Sequence, residues 1–211
     1  MLAGEAVELL GERALHWTRE ATLFVADVHL GKAAAFRAGG VPLPRGSTQS
    51  DLARLARLVA VTQARRLVVL GDFLHAAAGR VPALDVAFRA WRDAHASLAI
   101  TLVRGNHDDR AGDPPPSWGV EVVADPHAVP PFLACHAPCR PPTGYVLAGH
   151  LHPGVVLTGR DGAARLPCFV LGTRRAILPA FGSFTGLAIV KPEAGDRVVA
   201  IAGTRLFALP E

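Results

Sequence analysis

The chain has 211 residues, half of them apolar and 19% charged, with 21 Gly and 17 Pro scattered without a period. That composition excludes a disordered chain, a collagen-like repeat and a low-complexity array, and the length implies one well-filled domain over residues 1–211. The net charge is +4 and Lys32 and Lys191 are the only lysines among 22 basic residues, an arginine surplus that suits a polyanionic substrate without requiring one. No apolar run reaches the roughly 18 residues of a membrane helix, and Glu5 and Glu8 stand where a signal peptide carries basic residues. Cys135, Cys139 and Cys168 are too few, and odd in number, for a disulfide framework. The expectation is a cytoplasmic protein with free thiols and no membrane partner.

In chain order, Thr22 to Ala26 reads as a buried strand that runs into Asp27-Val28-His29. A helix is expected over Thr48 to Gln63, opened by a Thr48-x-x-Asp51 cap and carrying Leu52, Leu55, Leu58 and Val59 on one face. Leu67 to Leu70 is the next strand and ends in Gly71-Asp72, and a second helix starts on Pro82 and runs to Ala96. Ile100 to Val103 then leads through Arg104 into Gly105-Asn106-His107-Asp108. Strand, helix, strand, helix, strand indicates a parallel α/β first half. After Asp113 comes a stiff loop at Pro114 to Pro116 and a mostly β second half, where Phe132 to Ala134 continues through Cys135 to His136 and Tyr145 to Ala148 ends in Gly149-His150-Leu151-His152. With no linker and no repeat, both halves are expected to share one core, as two packed sheets with helices outside.

Nearly every strand thus exits into a residue that can hold a metal. Ligands of open α/β sheets gather at the carboxyl ends of parallel strands, and in an extended chain positions i and i+2 face one side, so Asp27 with His29 and His150 with His152 are expected to point together. Asp27, His29, Asp72, Asn106, His136, His150 and His152 at one edge would form a polynuclear site. Carboxylate, amide oxygen and imidazole without thiolate suit Mn²⁺, Fe²⁺ or Zn²⁺, and seven ligands divide over two ions when one carboxylate bridges. Two such ions clamp a phosphoryl group and lower the pKa of a shared water, so the chemistry implied is phosphate-ester hydrolysis. Each motif alone is weak; their order and their common place at strand exits carry the inference.

The series Asp-x-His, Gly-Asp, Gly-Asn-His-Asp, His, Gly-His-x-His resembles the calcineurin-like metallophosphoesterases, over Asp27 to His152. The resemblance implies an α/β fold built as a two-sheet β-sandwich flanked by helices (αββα). It assigns Asp27, His29, Asp72 and His152 to one metal and Asp72, Asn106, His136 and His150 to the other, with Asp72 as the bridge. It makes His107 a catalytic residue that binds no metal and faces the leaving oxygen, steadied by Asp108. Phe24 to Lys32 and Leu178 to Gly186 are further similar to bacterial ligase-associated DNA-damage-response endonucleases. That similarity implies two divalent ions, Mn²⁺ foremost, DNA as substrate, and association with an ATP-dependent DNA ligase and a helicase. One departure stands out: where many relatives have Asp or Glu after Gly-Asp-x-x, this chain has His75, either a substrate contact or a turn residue.

Lys32, Arg104, His75 and Arg140, with Arg110, are the candidate substrate contacts, and Phe36 or Phe73 could offer a stacking face. Cys135-His136-Ala137-Pro138-Cys139 lacks the second pair a zinc clip needs, so Cys135 is read as a buried thiol. Arg54, Arg57, Arg65 and Arg66 are read as a solvated helix face. Two rivals to a nuclease are kept: a small-molecule phosphodiesterase for cyclic nucleotides or nucleotide-lipids, which would want an enclosed pocket, and a non-catalytic scaffold, which would have no use for an unliganded His107.

Overall fold

The computed structural model describes residues 1–159 and 162–210. From sequence no strand is expected before Thr22, yet β1 (Val7–Leu10) and β2 (Ala14–Trp17) form an antiparallel hairpin, and β2 pairs with β3 (Thr22–Val25). The chain continues through α1 (Lys32–Ala38), α2 (Ser47–Thr62), β4 (Arg66–Leu70), α3 (Pro82–Ala94), β5 (Ala99–Val103), α4 (Asn106–Ala111) and β6 (Val120–Val123). Strands β3 to β6 are parallel neighbours, as the alternating pattern requires, and the sheet order runs β1 to β6 without permutation.

The second sheet collects β7 (His127–Val129), β8 (Phe132–Cys135), β9 (Tyr145–Ala148), β10 (Pro153–Gly159), β11 (Gly162–Leu171), β12 (Arg175–Ile177), β13 (Ala188–Ile189), β14 (Arg197–Ala202) and β15 (Arg205–Ala208). Here β8, β9 and β12 are parallel. Inner faces of the two sheets meet in one core: Phe24, Val68, Leu70 and Val103 from the first lie with Phe132, Leu147, Phe169 and Leu178 from the second. The outer face of the first sheet is sealed by helices, with Leu52, Leu55 and Leu58 of α2 and Leu84, Phe88 and Trp91 of α3 packed on Leu23, Val69 and Leu102. On the outer face of the second sheet, the buried cluster of Val155, Cys168, Val170, Ile177, Val198 and Ala200 is built by strands.

Two local expectations need correction. The Thr48-x-x-Asp51 cap is not made: α2 begins at Ser47 behind Gly46, which sits at φ 107°, and Asp51 is buried. Its carboxylate accepts instead from the backbone N–H of Ser183 at 3.1 Å and from Arg54 at 3.1 Å. Arg54 is accordingly not a solvated side chain. Its guanidinium lies 4.1 Å over the Phe181 ring and donates to the Phe181 carbonyl, tying α2 to the segment after β12. No helix among the described residues is long and apolar enough to cross a membrane.

Candidate metal centre

The carboxyl ends of β3, β4 and β5 in one sheet and of β8 and β9 in the other open onto the same edge. All seven candidate ligands sit just past those ends. The pairing of Asp27 with His29, however, does not arise from a pleat. Asp27, His29, Asp72, His150 and His152 all have left-handed backbones (φ 53°, 51°, 52°, 67° and 46°), so five of the nine non-glycine residues with positive φ among the described residues are candidate ligands. A left-handed residue costs conformational energy unless its surroundings hold it, and such residues gather at functional sites. Here the backbone is held: Asp27 N–H donates to Gly71 O at 3.1 Å and His29 N–H to Asp72 O at 2.8 Å, lacing the first two motifs together.

The side chains fall into two groups. In one, Asp27, His29 and His152 bring ligand atoms within 4.8 Å of one another, and in the other Asp72, His136 and His150 do the same. The i, i+2 expectation therefore fails for His150 and His152, which serve different groups. Asp72 lies between the groups: its Oδ1 is 3.5 Å from His136 Nε2, and its Oδ2 is 3.8 Å from His29 Nε2. Asn106 joins the second group, with Oδ1 2.9 Å from His136 Nε2. The ligand-bearing loops leave no room for a side chain where they meet. A Cβ on Gly105 would lie 2.4 Å from Asp72 N and Oδ1, and one on Gly149 would lie 2.7 Å from Asp27 Oδ2.

These donors fit divalent cations. His136 Nδ1 donates to the carbonyl of Leu70 at 3.2 Å, so a neutral ring turns a bare lone pair at Nε2 toward Asn106 Oδ1 and Asp72 Oδ1. Three electron-rich atoms converging in a buried site repel one another, and a cation among them converts that repulsion into coordination. Burial, followed by the positive charge of Lys32 and of the neighbouring histidines, pushes His29 down to about 2, which keeps the ring in its neutral, ligating form. Burial raises Asp72 above the ordinary carboxylate range despite the pull of His136.

His107 belongs to neither group but crowds His29 together with His75 in a third cluster of imidazoles, its ring centroid 4.9 Å from that of His29. Its Nδ1 donates to the carbonyl of His75 at 2.8 Å, and its Nε2 is 4.0 Å from Asp72 Oδ2 on a side chain 30% exposed. The expected partner is wrong: Asp108 does not touch this ring. Asp108 is the third residue of α4, turned inward, and its fully buried carboxylate accepts from Leu74 N–H at 2.9 Å and Gly105 N–H at 3.0 Å. It fastens the loop after β4 to the start of α4.

Of the candidate substrate contacts, the structure brings Lys32 and His75 to the centre. Lys32 is half-buried; burial lowers its pKa, against the opposing pull of the Asp72 and Asp27 charges. His75 lies with Nδ1 3.3 Å from His29 Nδ1 and its ring stacked on His107, and burial with the Lys32 charge pushes it down to about 4. Arg104 is instead held by Asp113 at 2.7 Å, and Arg140 is exposed beside Glu193 at 3.4 Å. Cys135 is buried as expected, with its Sγ 3.0 Å from Cys139 Sγ. Phe73 is core, whereas Phe36 is open at the cleft. Phe184, which no sequence motif flagged, lies against Phe36; its aromatic character within the segment Leu178 to Gly186 is the only sequence signal it gives.

The chain matches the crystal structure of Pseudomonas putida nuclease MPE with a TM-score of 0.85 and 44% identity, over 99% of this chain and 97% of that one. A looser match, to the E. coli phosphoesterase Yfce, has a TM-score of 0.40 and 16% identity over 85% and 86% of the two chains, too distant a superposition to support an argument. No family model and no curated protein sequence matches the chain.

Proposed function

The chain belongs to the metallophosphoesterase family, as a relative of nuclease MPE and a metal-dependent phosphoester hydrolase, and from that premise we propose that it is a dinuclear phosphodiesterase that cleaves DNA. The observation that carries the two-metal reading is Asp72, whose two carboxylate oxygens face two separate ligand groups. A bound pair of divalent cations, Mn²⁺ foremost by the motif resemblance and Fe²⁺ or Zn²⁺ equally suited to the donors, would supply Lewis-acid charge to the phosphoryl oxygens and an activated water.

The chain's own residues do the rest. Asp27, His29, Asp72 and His152 would hold one cation, and Asp72, Asn106, His136 and His150 the other. The His75 carbonyl fixes the His107 ring by its Nδ1–H, so a second proton on that ring resides at Nε2, the nitrogen that faces the cleft, and is delivered from there to the leaving oxygen. Lys32 contacts a non-bridging phosphate oxygen. DNA as the substrate is supported by the nuclease relative and by the arginine surplus, and a place beside an ATP-dependent ligase and a helicase in DNA repair is supported by the motif resemblance of Phe24 to Lys32 and Leu178 to Gly186.

The test is a panel of bis-p-nitrophenyl phosphate, cyclic nucleotides, and single-stranded and duplex DNA, each with Mn²⁺. Hydrolysis of the small diester together with cleavage of DNA, single strands preferred, is expected. Small diesters cleaved while DNA neither binds nor competes at low salt would make it a small-molecule phosphodiesterase. No hydrolysis with any divalent ion would make it a scaffold.

A further inference from the structure

An aromatic row leaves the candidate metal centre along α1. The His75 ring lies nearly parallel to His107 (centroids 4.7 Å apart, 21° between planes) and to Phe36 (5.9 Å, 29°), and Phe184 meets Phe36 edge to face at 5.8 Å. The inner members are partly shielded, but Phe36 is 39% and Phe184 41% exposed. Two phenyl rings left open to water beside one another lose apolar burial, and neither fills a gap in the core. Their seat is specific, because the segment carrying Phe184 is pinned: Gly182 N–H donates to Asp27 O at 3.1 Å, and Ser183 N–H donates to Asp51.

Charge argues for an anionic occupant. Lys32 and Phe36 are four residues apart on α1 and so share a face, the lysine within the field of Asp72 and Asp27 and the phenyl ring stacked toward His75. On the other flank of α1 runs a groove of about 560 Å³ that includes Arg37 and Arg45 and has no acidic side chain in its lining. Open aromatic rings, one of them sharing a helix face with a lysine, that adjoin a phosphoryl site are what an unpaired nucleotide recognises, since every base offers a flat face whatever its sequence. A base within a duplex has both faces and its pairing edge occupied, and cannot use such a surface without leaving the stack.

We propose that Phe36 and Phe184 form a stacking subsite for the unpaired nucleobase adjoining the scissile phosphate, which makes the enzyme select single-stranded over duplex DNA. This rests on the nuclease reading and adds to it the side chains that choose the strand state.

The experiment compares wild type with Phe36→Leu, Phe184→Leu and the double variant on two substrates, a single-stranded oligonucleotide and bis-p-nitrophenyl phosphate, which has no base. Stacking on an aromatic side chain changes affinity by about 5- to 150-fold per base. The ratio of kcat/KM on the oligonucleotide to that on the small diester should fall about 5- to 50-fold in the double variant, chiefly through KM, and Phe36→Trp should restore it. An abasic residue beside the cleavage site should weaken the wild type and leave the double variant indifferent. Phe207→Leu, at an exposed aromatic on β15, is the control and should alter neither substrate. If the wild type cleaves DNA and the ratio stays put in the variants, the subsite is refuted and the nuclease reading survives. An equal loss on both substrates also refutes it, because the rings are then structural. If the wild type neither binds nor cleaves DNA, the nuclease reading falls and the subsite with it.

Discussion

Replacing Asp108 by Asn separates the role expected from sequence from the one the structure shows. The carboxylate is fully buried and each oxygen accepts one backbone N–H, from Leu74 at 2.9 Å and Gly105 at 3.0 Å. Asn keeps the shape but has one amide oxygen, so its NH₂ must face one of those donors. A buried donor left unpaired costs about 1–3 kcal/mol, and the surviving bond loses its charge assistance. Burial already raises the Asp108 pKa, so removing the charge returns part of that cost. The net is about 2 kcal/mol, which for a chain of this length lowers Tm by roughly 4–8 °C. Because the carboxylate makes no contact with the His107 ring, turnover on bis-p-nitrophenyl phosphate well below Tm should fall less than about tenfold. Scanning fluorimetry and steady-state kinetics on the same preparation decide the matter. An unchanged Tm with a turnover loss as deep as that of His107→Gln would refute the reasoning and restore Asp108 as the residue that orients the ring.

His107→Gln should leave metal content and Tm intact while lowering turnover about 10²–10⁴-fold on DNA, and less on p-nitrophenyl esters, whose leaving group needs little protonation; equal loss on both would exclude the general-acid role. Asp72→Asn withdraws charge from both ligand groups, so calorimetric Mn²⁺ titration should show both sites weakened, whereas loss of one alone would place Asp72 in a single site. In Gly149→Ala the new Cβ would lie 2.5 Å from Ala26 Cβ and 2.7 Å from Asp27 Oδ2, and relieving that overlap should cost about 1–3 kcal/mol in urea denaturation and weaken the site of Asp27; an unchanged midpoint with both affinities intact would contradict the geometry. Binding of single-stranded DNA should fall with salt at a slope of about −0.7 per neutralised phosphate, at least about tenfold between low and physiological salt, and a flat response would remove phosphate contacts from the account.

The five strands that carry the site were the most legible part of the chain, five of the fifteen among the described residues. Runs such as Leu67 to Leu70 and Tyr145 to Ala148 are apolar on both faces because both faces are covered, and a run that ends abruptly in Gly-Asp or Gly-His announces a strand exit. The candidate ligands were legible for the same reason. Their partition came from the family resemblance and not from strand alternation, which says nothing about the left-handed residues beyond a strand's end that send His150 and His152 to different groups. The steadying role of Asp108 came from the family resemblance, and in this chain the first turn of α4 carries its carboxylate away from the His107 ring to the backbone N–H groups of Leu74 and Gly105. The Asp51 and Arg54 contacts with residues 181–183, and the meeting of Phe36 with Phe184, join segments far apart in the chain, and no local pattern encodes them. The hairpin of β1 and β2 was hidden by a half-exposed, charge-interrupted first strand.

The central claim is that two cations sit side by side at the joined sheet edges with Asp72 between them, and anomalous diffraction from crystals soaked in Mn²⁺ tests it most directly. Two peaks about 3.5–4 Å apart are expected, one among Asp27, His29 and His152 and the other among Asn106, His136 and His150, with one Asp72 oxygen on each. A single peak, or peaks that leave Asp72 outside the coordination of either ion, would contradict it.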